Sequence, residues 1–185
     1  MVVNPSGEAT AFCGSDLWIL RRKDHSSVRV GKCEVDSMGH QISFDERGNH
    51  MSWVESANTI GIVDTDSGSV ENVLIERRES ESAGTMTSTA LSPSGRFLAV
   101  GLPEEVRIYD LAVKSQPVMV AVYKGDRNLI GSSQILFMTS DQFLAIVDRS
   151  RERVMVLQWK PSDIRERLMN YLVHLKLRPD DISLD

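Results

Sequence analysis

Thr89-Ala90-Leu91-Ser92-Pro93-Ser94-Gly95-Arg96-Phe97-Leu98-Ala99-Val100-Gly101, followed by Val106-Arg107-Ile108-Tyr109-Asp110-Leu111, reads as strand, tight turn, strand, second turn, strand. Pro93 sets φ for the first turn, and Gly95 can supply a positive φ. The unbroken apolar run from Phe97 to Val100 marks a strand covered on both faces. A sheet with such a strand needs a neighbour on each side.

The same pattern recurs on either side. Upstream, Ile42-Ser43-Phe44-Asp45-Glu46-Arg47-Gly48 leads into His50-Met51-Ser52-Trp53-Val54 and then Thr59-Ile60-Gly61-Ile62-Val63-Asp64. Downstream, Ile135-Leu136-Phe137-Met138-Thr139-Ser140-Asp141 leads into Phe143-Leu144-Ala145-Ile146-Val147 and then Val154-Met155-Val156-Leu157-Gln158-Trp159. Near the start, Asn4-Pro5-Ser6-Gly7 mirrors Ser92-Pro93-Ser94-Gly95. The turn residues Gly7, Gly48, Gly95 and Asp141 lie 41, 47 and 46 positions apart (48 − 7, 95 − 48, 141 − 95). A period of roughly 40–50 residues is that of repeated four-stranded sheet units. Stretches 28–35, 70–76 and 118–123 supply a fourth strand to the first three units, and nothing supplies one after Trp159. Glu71, Asn72, Arg29 and Lys32 make these outermost strands polar. Stacking such units side by side buries both faces of each in one continuous core.

Residues 90–111 resemble a WD40 repeat or its YVTN-type relatives. Ser92-Pro93-Ser94-Gly95-Arg96-Phe97-Leu98-Ala99-Val100 matches the turn and strand, and Tyr109-Asp110 stands where Trp-Asp closes a unit. Gly39-His40 stands where Gly-His opens the second unit. No unit carries a full Gly-His and Trp-Asp pair, so the match is to the architecture and to no particular subfamily. The resemblance implies an all-β protein, a β-propeller of about four four-stranded blades at about 1–36, 37–80, 85–125 and 130–160, the first and last incomplete. Family propellers have six to eight blades, so the arc is expected to be completed by further chain, a partner or a second copy. An open arc would otherwise leave sheet faces and strand edges uncovered.

The remaining signals bound the function. Apolar residues make up 41% of the 185 and charged residues 25%, as in a folded, soluble protein. The net charge of −5 disfavours a phosphate backbone as partner. Cys13 and Cys33 match neither a disulfide framework nor a zinc spacing and read as small buried hydrophobes in strands. With no secretory signal at the amino end and no apolar stretch of membrane-spanning length, the reading is cytoplasmic, with the nucleus as the other location.

Residues 161–185 read as a carboxyl-terminal amphipathic α-helix and tail. Asp163 is its N-cap and Glu166 follows three residues later. Ile164, Leu168, Tyr171, Leu172 and Leu175 follow at helical spacing, and Pro179 ends the segment. Such a face either packs on the last blade, in place of its missing strand, or docks on a partner subunit.

His25, His40, His50 and His174 are scattered and form no metal spacing. Asp64-Thr65-Asp66-Ser67-Gly68 lacks the later glutamate of a calcium loop and reads as a turn. The segment 76–82 reads as a solvated connector. The segment 148–153 reads as a solvated hairpin, with an acidic partner or a phosphate as its alternative contact. No catalytic constellation, metal site or cofactor site is expected. The architecture implies a rim carrying Glu79, Glu81, Pro103, Glu104, Glu105, Asp126, Arg127, Arg149, Arg151 and Arg153. Glu104, Glu105, Arg127, Arg149, Arg151 and Arg153, with Leu168, Leu172 and Leu175 of the tail, are the candidate partner-binding residues. The expected function is a non-enzymatic scaffold subunit binding other proteins. The rivals are a lactonase-like propeller hydrolase and an RNA-binding component of a ribonucleoprotein.

Overall fold

A computed structural model describes residues 1–33, 42–75, 86, 88–102, 105–112, 117–124, 133–148 and 153–159. Among them the chain forms four antiparallel sheets in sequence order and no helix. The expected carboxyl-terminal helix lies outside the described residues.

Sheet 1 runs β1 (Val2–Val3), β2 (Ala9–Cys13), β3 (Asp16–Arg21) and β4 (Ser27–Lys32). Sheet 2 runs β5 (Ile42–Phe44), β6 (His50–Ser56), β7 (Thr59–Asp64) and β8 (Val70–Leu74). Sheet 3 runs β9 (Ser88–Leu91), β10 (Phe97–Gly101), β11 (Glu105–Asp110) and β12 (Val118–Lys124). Sheet 4 has three strands, β13 (Ser133–Phe137), β14 (Phe143–Asp148) and β15 (Arg153–Gln158). In every sheet the strands pair in chain order, as hairpins dictate. Sheet 1 departs from the expectation that the first unit is incomplete. Two residues, Val2 and Val3, suffice to pair with Ala11 and Thr10 as an inner strand.

The inner strands converge. β9 is buried along its whole length and lies against both β5 and β13. The sheets then stack face to face, and alternation along each strand divides its side chains between two neighbours. Met51, Trp53 and Val63 of sheet 2 pack on Ala11, Leu17 and Ile19 of sheet 1. Val54, Ile60 and Ile62 point the other way, onto Leu98, Val100 and Tyr109 of sheet 3. Phe97, Ala99, Val106 and Ile108, on the opposite face of sheet 3, pack on Ile135, Leu144 and Ile146 of sheet 4. This two-sided burial is why β10 is apolar without interruption. The outer strands are the least covered: β4 is exposed at Ser27, Arg29 and Lys32, β8 throughout but for Val73, and β12 at the apolar Val118, Met119 and Val122 as well as at Lys124.

Cys13 and Cys33 correct the reading of two free thiols: they form a disulfide, with Cα atoms 5.9 Å apart. Pairing of Cys13 with Leu17, and of Leu17 with Gly31, sets β2 and β4 on either side of β3. The chain leaving β4 brings Cys33 back toward the end of β2, where its N–H bonds the Ser15 carbonyl. The 20-residue separation carries no hint of this, because the contact is made by strand register.

Candidate functional site

Each sheet enters its second strand through the same turn. Asn4, Asp45, Ser92 and Met138 occupy the first position, and each donates its backbone N–H to the carbonyl of the residue five places on. Three of the four are polar and buried: Asn4 at 6% exposure, Asp45 at 3% and Ser92 at 0%. A buried polar group needs partners. The Asn4 Oδ1 accepts from the Ala9 N–H and the Ser92 Oγ from the Phe97 N–H, each at 3.0 Å. Asp45 Oδ2 instead lies 3.0 Å from His50 Nδ1. Three residues on, Gly7, Gly48 and Gly95 have φ of 73–75°, which only glycine adopts readily.

These turns line up in a row and touch. A side chain at Gly48 would overlap Asn4, and one at Gly95 would meet Asp45 Oδ2 at 3.1 Å. The Glu46 N–H bonds the Pro93 carbonyl, and the Ser94 N–H bonds Asp141 Oδ1 at 3.0 Å. Further links tie the sheets behind the row. Arg21 Nε donates to the Thr65 carbonyl, Trp53 Nε1 to the Lys32 carbonyl, and Ser43 Oγ accepts from the Leu91 N–H. Asp64–Gly68 folds as a turn, its Asp64 Oδ1 accepting from the N–H groups of Asp66 and Ser67.

Where the row meets the inner strands, an open cleft of about 360 Å³ takes a wall from every sheet: Pro5, Phe44 with Glu46, Leu91 with Pro93, and Phe137 with Met138 and Thr139. Its lining is mainly apolar, with the exposed Glu46 at its mouth. Among the described residues no three His, Cys, Asp or Glu side chains gather as metal ligands. A mainly apolar shelf bordered by the buried Asp45 and the exposed Glu46 can seat a peptide segment or a loop of another protein.

Of the partner-binding residues expected from sequence, Glu105 opens β11 and its carboxylate pairs with the Arg107 guanidinium. Burial alone would lower Arg107, but bonds to Glu105 and Tyr109 outweigh it and hold the group above its ordinary value. Arg153 opens β15, its backbone paired with Asp148. Glu104, Arg127, Arg149, Arg151, Leu168, Leu172 and Leu175 lie outside the described residues, as do Glu79, Glu81, Pro103 and Asp126. The inter-turn row and the Asp45–His50 pair were not foreseen. Their only trace in the sequence is the recurrent spacing of a buried polar residue, a glycine three places on and a strand start five places on.

No family model matches the sequence, and no curated protein matches it. Solved structures do match, and they show a β-propeller fold, to which this chain contributes four sheets. The Cps50 (Swd1) β-propeller domain of Myceliophteria thermophila is 13% identical with a TM-score of 0.53, over 82% of this chain and 54% of that one. KlAtg21, in complex with the coiled-coil of AgAtg16, is 16% identical with a TM-score of 0.61, over 82% and 50%. Dihydro-heme d1 dehydrogenase NirN, in complex with DHE, is 13% identical with a TM-score of 0.56, over 86% and 34%. The chain thus spans from a third to about half of the length of these structures.

Proposed function

We propose that this chain is a non-enzymatic scaffold, a subunit that holds other proteins in a larger complex through its axial cleft and rim. The observation that carries the reading is the cleft to which all four sheets contribute, apolar and open, with Glu46 at its margin. A KlAtg21-like propeller that binds a coiled-coil supports the same use of the fold. Recovering the protein from cells with its partners tests it. Stoichiometric partners should accompany the wild type and be lost with Glu46→Lys or Thr139→Arg. Recovery as a lone protein with catalytic activity would contradict the reading.

The likeness to NirN favours one second reading, a propeller enzyme. Metal analysis with a hydrolase and dehydrogenase screen separates the two. Among the described residues no helix is long and apolar enough to cross a membrane. A cytoplasmic or nuclear location belongs to the same proposal. The Cys13–Cys33 disulfide weighs against it, since such bonds persist mainly in oxidising compartments. Imaging of the tagged full chain decides between them.

A further inference from the structure

The cleft shared by the four sheets is apolar on most of its walls and charged on one. Phe44, Leu91, Phe137 and Met138 line it with ring and chain carbon. Its two carboxylates, Asp45 and Glu46, both stand on the turn between β5 and β6, so the charge is gathered on the sheet 2 side. Among the described residues no lysine, arginine or histidine lines it, and the exposed Arg47, next to Glu46 in sequence, is not part of its walls.

The two acids differ in what they still lack. Asp45 is buried, and its Oδ2 lies 3.0 Å from His50 Nδ1. Its Oδ1 is also buried and has no hydrogen-bond partner among the described residues. Buried polar atoms are normally satisfied, so an orphaned carboxylate oxygen beside a cleft points to something that belongs there. Glu46 is held at its backbone, where its N–H bonds the Pro93 carbonyl. Its side chain is exposed, and among the described residues no cation pairs with it. An exposed carboxylate at the mouth and a half-satisfied one behind it together call for a cation.

We propose that the cleft takes an extended segment of another protein that presents one arginine or lysine between apolar residues. The inference rests on the scaffold reading and names the chemistry of its partner. A long cationic side chain matches both parts of the site: its methylenes lie along Phe44, Leu91 and Phe137, and its charged head reaches Glu46, with the field of Asp45 behind it. The volume of about 360 Å³ is at the low end for ligand pockets. It admits a side chain with its neighbours but not a helix, which is about 10 Å across. An acidic segment would meet two like charges, and a purely apolar one would cover Glu46 without pairing it. The net charge of −5 steers basic segments toward the molecule in the same sense.

Panning a phage library of random heptapeptides on the full chain tests it. The selected peptides should carry an arginine or lysine beside leucine, isoleucine, phenylalanine, methionine or proline, and added salt should weaken their binding. Glu46→Gln should weaken it roughly three- to fivefold, the worth of one exposed ion pair. Glu46→Lys, panned anew, should select an acidic residue in place of the basic one. Glu71→Lys, the same charge change on the exposed β8, should leave the selection as it is. Thr139→Arg, which sets a cation on the sheet 4 wall, should abolish binding. All three positions are exposed, so each variant should keep the far-ultraviolet spectrum of the wild type. Wild-type peptides without a basic residue would overturn the inference, and their loss with Thr139→Arg would leave the scaffold use of the cleft standing. Peptides that still bind Thr139→Arg would have their site elsewhere and would overturn both. A library that yields no peptide dependent on Glu46 would overturn the inference, whereas the scaffold reading answers to the partners recovered from cells.

Discussion

Trp53 sits on β6 with its indole fully buried between sheets 1 and 2, and glycines make room for it. A side chain at Gly61 would overlap its ring, and one at Gly31 would come within 3.0 Å of it. Gly61→Ala should therefore cost about 1–3 kcal/mol in urea unfolding, the range for overpacking a filled core. Trp53→Ala should cost about 3–5 kcal/mol. Equal stability of wild type and Gly61→Ala would remove the indole from that position. Charge acts at the same scale. The Arg96 guanidinium holds Asp110 below the ordinary carboxylate range, and the Ser67 N–H does so first for Asp64. In the unfolded chain both return to about 3.8. Their contribution is thus present above that pH and lost as pH falls through the lower folded values. Stability should drop on acidification below about pH 4, and Asp110→Asn should flatten that limb. With Arg96 half exposed, the change at neutral pH should not exceed about 1 kcal/mol.

At the scale of the element, the Cys13–Cys33 bond closes β2, β3 and β4 into one loop. Restricting a 20-residue loop in the unfolded chain is worth about 3 kcal/mol. Reductant or Cys33→Ser should lower stability by that order, and amide exchange should rise in sheet 1 before sheet 3. Uniform exchange across all sheets would show that the bond does not tie this unit. The strands themselves were legible in sequence, because turn residues and apolar runs are local signals: Pro93, Gly95 and Phe97 to Val100 announce β9, the turn and β10. The bond was not, because its partners meet only through the register of three strands. The β1 strand escaped notice for another reason. Two residues carry no periodicity, and Val2 and Val3 become a strand only when β2 is there to pair with them.

Over the whole molecule, the arc follows from how side chains alternate between neighbours. Sheet 2 gives Trp53 to sheet 1 and Val54 to sheet 3, and sheet 3 gives Leu98 to sheet 2 and Phe97 to sheet 4. That a sheet needed neighbours on both faces could be read from β10 alone. The site could not be read so early. The cleft forms only where Pro5, Glu46, Pro93 and Met138, spread over more than a hundred residues of chain, come together. Charged positions stand out in a sequence, whereas the apolar walls of this cleft look like any other turn residues. Lateral stacking of the repeated sheets is the claim on which the cleft depends. Proton–proton contacts by NMR across sheet boundaries test it most directly. The account predicts contacts from the Trp53 indole to Gly31, and from the Trp159 indole to Phe97, whose rings lie 4.7 Å apart. Contacts confined within each sheet, with none from Trp53 or Trp159 to its neighbour, would contradict it.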